Sequence, residues 1–241
     1  MDHVETKYHG LLFRPELINR IQAYQKWQTR RVVSRHNTII NGEKRATAEY
    51  WAGYDFSQAV ADAGPSPAGN ACGYLKVPNR LSDATDRLYP MWQPGDVAYV
   101  KEMLVHSDLD GLCYALDGVE VDPPPGTVWQ SKRDWVSPIH MARWAARFLM
   151  PLVAVIPQRV QECSEKDAIA EGVQAGWSNN VANPMRSCQV TARERWRELW
   201  QRVHPGNGPD SWEANPWVWC LRWETMRRRV RVGTQGKGTA Q

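Results

Sequence analysis

With 241 residues, 42% of them hydrophobic and 23% charged, the chain has the apolar content for a buried core and the polarity of an ordinary globular domain. That balance excludes a disordered or fibrous polypeptide, and no apolar run approaches the roughly 18 residues of a membrane-spanning helix. The formal net charge of +4 is unevenly spread, because residues 222–241 carry +5 and the rest about −1. The Met-Arg-Arg-Arg-Val-Arg run near the end reads either as a phosphate-binding arm or as a solvated charged end.

The stretch Met1 to Gly10 holds Asp2, Glu5 and two histidines and lacks an apolar signal segment, so a cytoplasmic location is expected. Five cysteines, Cys72, Cys113, Cys163, Cys188 and Cys220, are scattered with no C-x-x-C pair. That spacing argues against a disulfide framework and a zinc site, and neither metal nor cofactor is expected. Thirteen tryptophans are unusual, and six crowd between Trp196 and Trp223. Indoles stack on bases, but most are expected to fill the core.

In chain order, Leu17, Ile18, Ile21 and Tyr24 fall at helical spacing after Pro15, which suits a first turn. The basic turn Lys26-Trp-Gln-Thr-Arg-Arg31 follows, then Val32-Val33. Residues 34–89 hold the breaker cluster Gly64-Pro-Ser-Pro-Ala-Gly69 and read as a loop-rich insertion with one short helix near Ala46 to Ala61. Gln93-Pro-Gly-Asp96 encodes a tight turn into a strand from Val97 to Glu102, and Leu112 to Leu116 reads as a strand that pairs with a neighbour. The apolar run Phe148 to Val160, broken by Pro151 and Pro157, is expected as an interrupted or edge strand. Capping boxes at Ser164-Glu-Lys-Asp167 and Thr191-Ala-Arg-Glu194 open two helices, and Pro216 to Trp223 closes the domain as a strand.

Five segments in this order resemble the phage-type ASCH proteins of the PUA-like superfamily. They are Lys26-Trp-Gln-Thr-Arg-Arg31, Gln93-Pro-Gly-Asp96 with Val100-Lys-Glu102, Ser137-Pro-Ile-His-Met-Ala-Arg-Trp-Ala145, Ser164 to Gly172, and Ser211-Trp-Glu-Ala-Asn-Pro-Trp-Val-Trp219. The resemblance covers roughly residues 11–31 and 90–224. It implies an α+β fold, a small PUA-like β-barrel with flanking helices, built from residues 1–33 and 90–224. The insertion 34–89 and a basic flexible tail at 225–241 lie outside it. It also implies a phage or prophage origin and a cleft for RNA, a nucleoside or a modified base. A small bacterial branch of that family hydrolyses the acetyl amide of N4-acetylcytidine with a lysine, a threonine three residues on and a helical glutamate. Lys26 and Thr29 match that spacing, and Glu171 matches within the A-x-x-E pattern of its helix. The chain departs from the pattern at Tyr24, where many relatives have glycine, at Trp27, where many have threonine, and at Ala142 and Met103-Leu104.

Amide hydrolysis needs a nucleophile, a proton shuttle and an oxyanion stabiliser. Thr29 offers a hydroxyl to attack or to hold water. Lys26 serves as base if its pKa falls towards neutrality, and as oxyanion stabiliser if it stays charged. Arg30 and Arg31 suit phosphate or base-edge contacts, or internal pairing with Asp96 or Glu102. Glu102 suits a cytosine-type amine or an internal arginine, His140 and Arg143 are further ligand candidates, and Trp27 either narrows the cleft or stacks on a base. Three functions follow: a nucleic-acid or nucleoside-binding module first, an amidohydrolase on acylated nucleobases second, and a partner-binding phage structural protein third. Ribonuclease action ranks lower, since no paired histidines stand at obvious spacing.

Overall fold

The computed structural model describes residues 6–42, 46–66, 69–107, 111–128, 133–178 and 188–228. In chain order the elements are β1 (Tyr8–Leu12), α1 (Pro15–Gln22), β2 (Gln28–Val32), β3 (Thr38–Ile40), α2 (Ala48–Ala52), β4 (Val60–Pro65), β5 (Ala71–Asn79) and β6 (Ala84–Pro90). There follow β7 (Val97–Lys101), β8 (Leu104–Ser107), β9 (Gly111–Tyr114), β10 (Trp135–Val136), β11 (Phe148–Arg159) and α3 (Glu165–Ala170). The chain then forms β12 (Gly176–Ser178), β13 (Cys188–Val190), α4 (Ala192–Val203), β14 (Trp217–Trp223) and β15 (Arg227–Arg228). The architecture is mixed α+β and dominated by sheet. No helix among the described residues is long and apolar enough to cross a membrane.

The principal sheet runs β1-β7-β11-β14-β2, with β15 also paired to β11. β1 pairs parallel with β7, the other neighbours antiparallel, and no ladder joins β1 to β2 among the described residues. β11 is a twelve-residue strand at the middle of this sheet, which corrects the expectation of an edge strand. It tolerates its prolines by changing partners: residues up to Pro151 ladder with β7, residues from Leu152 with β14, and the register shifts between Leu152 and Ala154. Each proline thus lies where one side of the strand carries no ladder, the position its missing N–H allows.

Residues 34–89 are not loop-rich. They form the antiparallel sheet β3-β6-β5-β4, with the short helix α2 between β3 and β4. Leu75, Val77 and Leu88 are fully buried and share one core with Val100, Phe148, Met150, Trp219 and Leu221 of the principal sheet. β5 approaches β11 closely at Gly73, where a Cβ would stand 2.3 Å from Pro157 Cδ. Gly64 and Pro65 of the breaker cluster end β4, while Gly73, outside that cluster, serves close packing. The basic stretch also begins inside the fold, since Arg227 and Arg228 pair with Leu149 and Phe148; its continuation at 229–241 lies outside the described residues.

Both capping boxes form: Ser164 accepts from the Asp167 backbone N–H, and Thr191 from that of Glu194. Trp196 and Trp200 face a second core with Val160, Cys163, Ala168 and Val218. Of the described indoles, Trp92, Trp196, Trp200, Trp212, Trp219 and Trp223 are buried, so core filling dominates. α1 and α3 end alike. Gln25 N–H bonds to Arg20 O and Tyr24 N–H to Ile21 O, while Val173 N–H bonds to Ala168 O and Gly172 N–H to Ile169 O. These are Schellman motifs, which require a left-handed residue after the helix. Gly172 supplies it at φ +88°, Tyr24 at φ 55°. The tyrosine thus occupies the conformation in which glycine is favoured.

Candidate functional site

Lys26 enters the site through its backbone neighbours: Trp27 N–H donates to Ala170 O at the end of α3, and Trp223 N–H of β14 donates to Trp27 O. The segment before β2 is thereby clamped between helix and sheet. From there Lys26, Gln28 and Arg30 share one face, since alternate strand residues do, at a repeat of about 6.7 Å. α3 presents Asp167 and Glu171 to that face, four residues and about 6 Å apart. The two repeats match, and the polar groups interlock. Lys26 Nζ donates to Glu171 Oε2 at 2.7 Å and to the Glu171 carbonyl at 2.9 Å, and Arg30 donates to Glu171 Oε1 at 3.0 Å. Gln28 Nε2 donates to the Asp167 carbonyl at 2.9 Å, and Arg222 to Asp167 Oδ1 at 3.0 Å.

Lys26 and Arg30 have side chains 0% exposed and Glu171 1%, so two cations and a carboxylate lie out of water. Burial of an ion costs several kcal/mol unless its bonding capacity is met. Here Glu171 meets it with both oxygens, and its carbonyl, an orphan of the helix terminus, takes a second Lys26 proton. Burial lowers the Lys26 pKa from the ordinary 10.5; Glu171 opposes this, while Arg31 and Arg30 add to it. Glu171 keeps Arg30 charged against the same desolvation.

Thr29, Arg30, Arg31 and Glu171 line a cleft of about 250 Å³ whose other wall is α4, with Trp196, Leu199, Trp200 and His204, and whose rim is Phe13, Arg14 and Leu17. Lys26 is not among its lining residues; it stands behind Glu171. Arg31 donates to Leu12 O at 2.7 Å and lies 5.1 Å from the Phe13 ring centroid. Arg30 Nε, Arg31 Nε and Trp196 Nε1 are buried without a hydrogen-bond partner among the described residues. These three N–H groups are enclosed by protein and are not presented to the cleft.

His204 was not anticipated. It stacks on Trp200 at 4.4 Å between centroids and an interplanar angle of 24°. The i, i+4 spacing from Trp200 to His204 at the end of α4 is the signal that finds it. Burial lowers its pKa below the ordinary 6.5, Asp210 raises it and Arg31 lowers it further. Since the folded value is the lower one, the unfolded chain binds more protons between the two, and stability falls as pH drops below 6.5. In His204→Gln this loss disappears: melting temperatures from pH 7.5 to 5 should converge with those of the parent chain at the acid end, and a parallel pair of curves sinks the assignment.

The remaining candidates lie elsewhere. Glu102 is paired inside the fold, away from the cleft. It is 2% exposed and receives Arg147 Nε at 2.8 Å and Nη2 at 2.6 Å, with Asp117 taking a third bond. Arg30 and Arg31 accordingly pair with neither Glu102 nor Asp96, whose partners are Arg147 and His9. His140 is exposed and lines a different groove with Leu104, Val121 and Trp144. Arg143, also exposed, covers the Tyr8 ring at 4.4 Å. Trp27 is half-buried against the main core and 6.2 Å from Tyr24, outside the cleft lining. These four depart from the expectation because strand parity and the α3 contact, invisible in the motifs, select Thr29, Arg31 and α4 instead.

Among the described residues no group of three His, Cys, Asp or Glu side chains is placed to hold a metal ion. Matched against family models, curated proteins and solved structures, the chain shows no significant similarity in any of the three comparisons.

Proposed function

We propose that the chain is an ASCH-type, PUA-like binding module, related to phage proteins of that pattern, whose cleft between α1, β2 and α4 takes a nucleobase or modified nucleoside. The observation that carries this reading is the cleft lining itself. It combines indole and imidazole surfaces with arginine side chains in a volume of about 250 Å³. Planar rings stack on aromatic faces, and base-edge oxygens and ring nitrogens accept from arginine. RNA or a free nucleoside is the ligand class.

A second reading, hydrolysis of an N4-acylated cytosine, is favoured by the convergence of Lys26 and Glu171 at 2.7 Å with Thr29 at the cleft wall. Water would add to the acyl carbon, the carbon–nitrogen bond would break, and the exocyclic amine would leave with a proton. Thr29 is the group that reaches the cleft; Lys26 acts through Glu171 and the charge behind it.

One experiment tests both. Cytidine, N4-acetylcytidine and a short RNA are titrated calorimetrically, and the acetylated nucleoside is followed chromatographically for cytidine. Binding with millimolar or tighter Kd supports the module. If none of the three binds, it is wrong. Release of cytidine, reduced at least about 100-fold in Thr29→Ala and Lys26→Ala, supports the hydrolase. Binding without release removes the hydrolase alone.

A further inference from the structure

α1 and α4 carry matching stripes. Arg14, Leu17 and Arg20 stand three residues apart, and Arg195, Leu199 and Arg202 stand four and three apart, spacings that keep each set on one helix face. All six line one groove of about 520 Å³ between the helices, next to Gly172 and Val173. The groove is continuous with the base-sized cleft, because Arg14, Leu17 and Leu199 line both. Leu17 and Leu199 are half-buried, while Arg14 and Arg202 are exposed.

Two carboxylates, Glu16 and Glu198, also line the groove, against four guanidiniums. No ion pair engages Arg14, Arg20 or Arg202 among the described residues; Arg20 donates to the Gln25 side chain. The groove therefore holds cationic groups that the fold itself does not neutralise. A nucleoside fills the cleft, carries no negative charge and leaves this groove without a role. A strand of phosphodiesters supplies what it lacks. At 1.5 Å per residue the stripes run about 9 Å and about 10.5 Å along their helices, against a phosphate spacing of about 3.4 Å along a stacked strand.

We propose that the groove between α1 and α4 binds the phosphodiester backbone of a single-stranded polynucleotide, whose base enters the adjoining cleft. This rests on the nucleobase reading of that cleft. It makes the ligand a strand rather than a free nucleoside and assigns a second binding surface to Arg20, Arg195 and Arg202, which lie outside the cleft lining.

The test uses the full chain, a fluorescently labelled ten-nucleotide cytidine RNA and free cytidine. Anisotropy titrations between 50 and 200 mM salt give affinity and salt slope, and calorimetry gives cytidine binding. Arg202→Glu and Arg20→Gln, each checked for an unchanged melting temperature, probe the groove. The expected result is a loss of about tenfold in RNA affinity for Arg202→Glu, less for Arg20→Gln. The log–log salt slope should become shallower by about one for each contact removed, and cytidine affinity should stay unchanged. RNA affinity and salt slope unchanged in both variants overturn the proposal, and so does RNA binding no tighter than cytidine; either leaves the cleft reading standing. Absence of binding by both ligands removes the cleft reading and this inference with it.

Discussion

Glu171→Gln should destabilise the fold by about 3–5 kcal/mol, the cost of stranding buried charge when one partner of an ion pair is removed. For a chain of this size each kcal/mol moves the melting temperature by about 2–4 °C, so a fall of roughly 10 °C is expected. The amide keeps the volume of the carboxylate and its acceptor oxygen, but it cannot balance both Lys26 and Arg30, which bond to opposite oxygens of Glu171. Lys26→Met should cost less, because Glu171 then retains Arg30. The variant has a pH signature. Burial holds the folded Lys26 pKa below 10.5, so the unfolded chain binds more protons in the interval up to that value, and stability rises with pH across it. Loss of the carboxylate lowers the folded value further and widens the interval. The deficit of Glu171→Gln should therefore shrink as pH is raised from 7 towards 10. A melt at pH 7 indistinguishable from the parent would show that the network is not a buried one.

The second large effect is expected at a buried residue outside the cleft lining. Glu102→Ala leaves the Arg147 guanidinium, 4% exposed, with Asp117 as its remaining carboxylate. Two short charge-assisted bonds vanish, and the cation stays enclosed over the Tyr114 and Phe148 rings at 4.0 and 4.9 Å. A loss of about 3 kcal/mol follows, at the lower end of the range for broken buried pairs because Asp117 persists. Urea denaturation should show a lower midpoint with the slope preserved. Nucleoside affinity should stay within twofold of the parent chain at a temperature where both are folded. A variant of normal stability with weakened binding would instead return Glu102 to the ligand site.

These two carboxylates illustrate what can be read from the chain alone. The capping boxes, the Pro-Gly-Asp turn and the closing tryptophan-rich strand are legible because each is decided within a few residues: a side-chain oxygen meets a backbone N–H three positions on, or a strand follows a turn. Lys26, Thr29 and Glu171 were singled out by the resemblance of their segments to the ASCH pattern, and the fold brings Lys26 to Glu171, with Thr29 on the adjoining cleft wall. The partners of Arg30 were not legible, since Gln158 and Asp167 reach it from 128 and 137 residues away. His204 carries no local motif beyond its distance from Trp200. The sheet of residues 38–90 was obscured by glycine and proline, which signal turns in isolation. Gly73 of that sheet instead lets it approach Pro157 of β11 in the principal sheet.

Composition and local pattern by themselves determined that this is a cored α+β chain with two capped helices. Short-range hydrogen bonding and side-chain periodicity suffice for that, whereas the basic segment Lys26–Arg31, read as a turn, is for the most part strand β2. Which charges are buried together, which face of β2 meets α3, and which aromatic rings wall the cleft were decided only by tertiary structure. Those outcomes depend on strand parity, on the match between a helical and an extended repeat, and on contacts between segments more than a hundred residues apart, where the desolvation of Lys26, Arg30 and Glu171 is compensated only once all three have met.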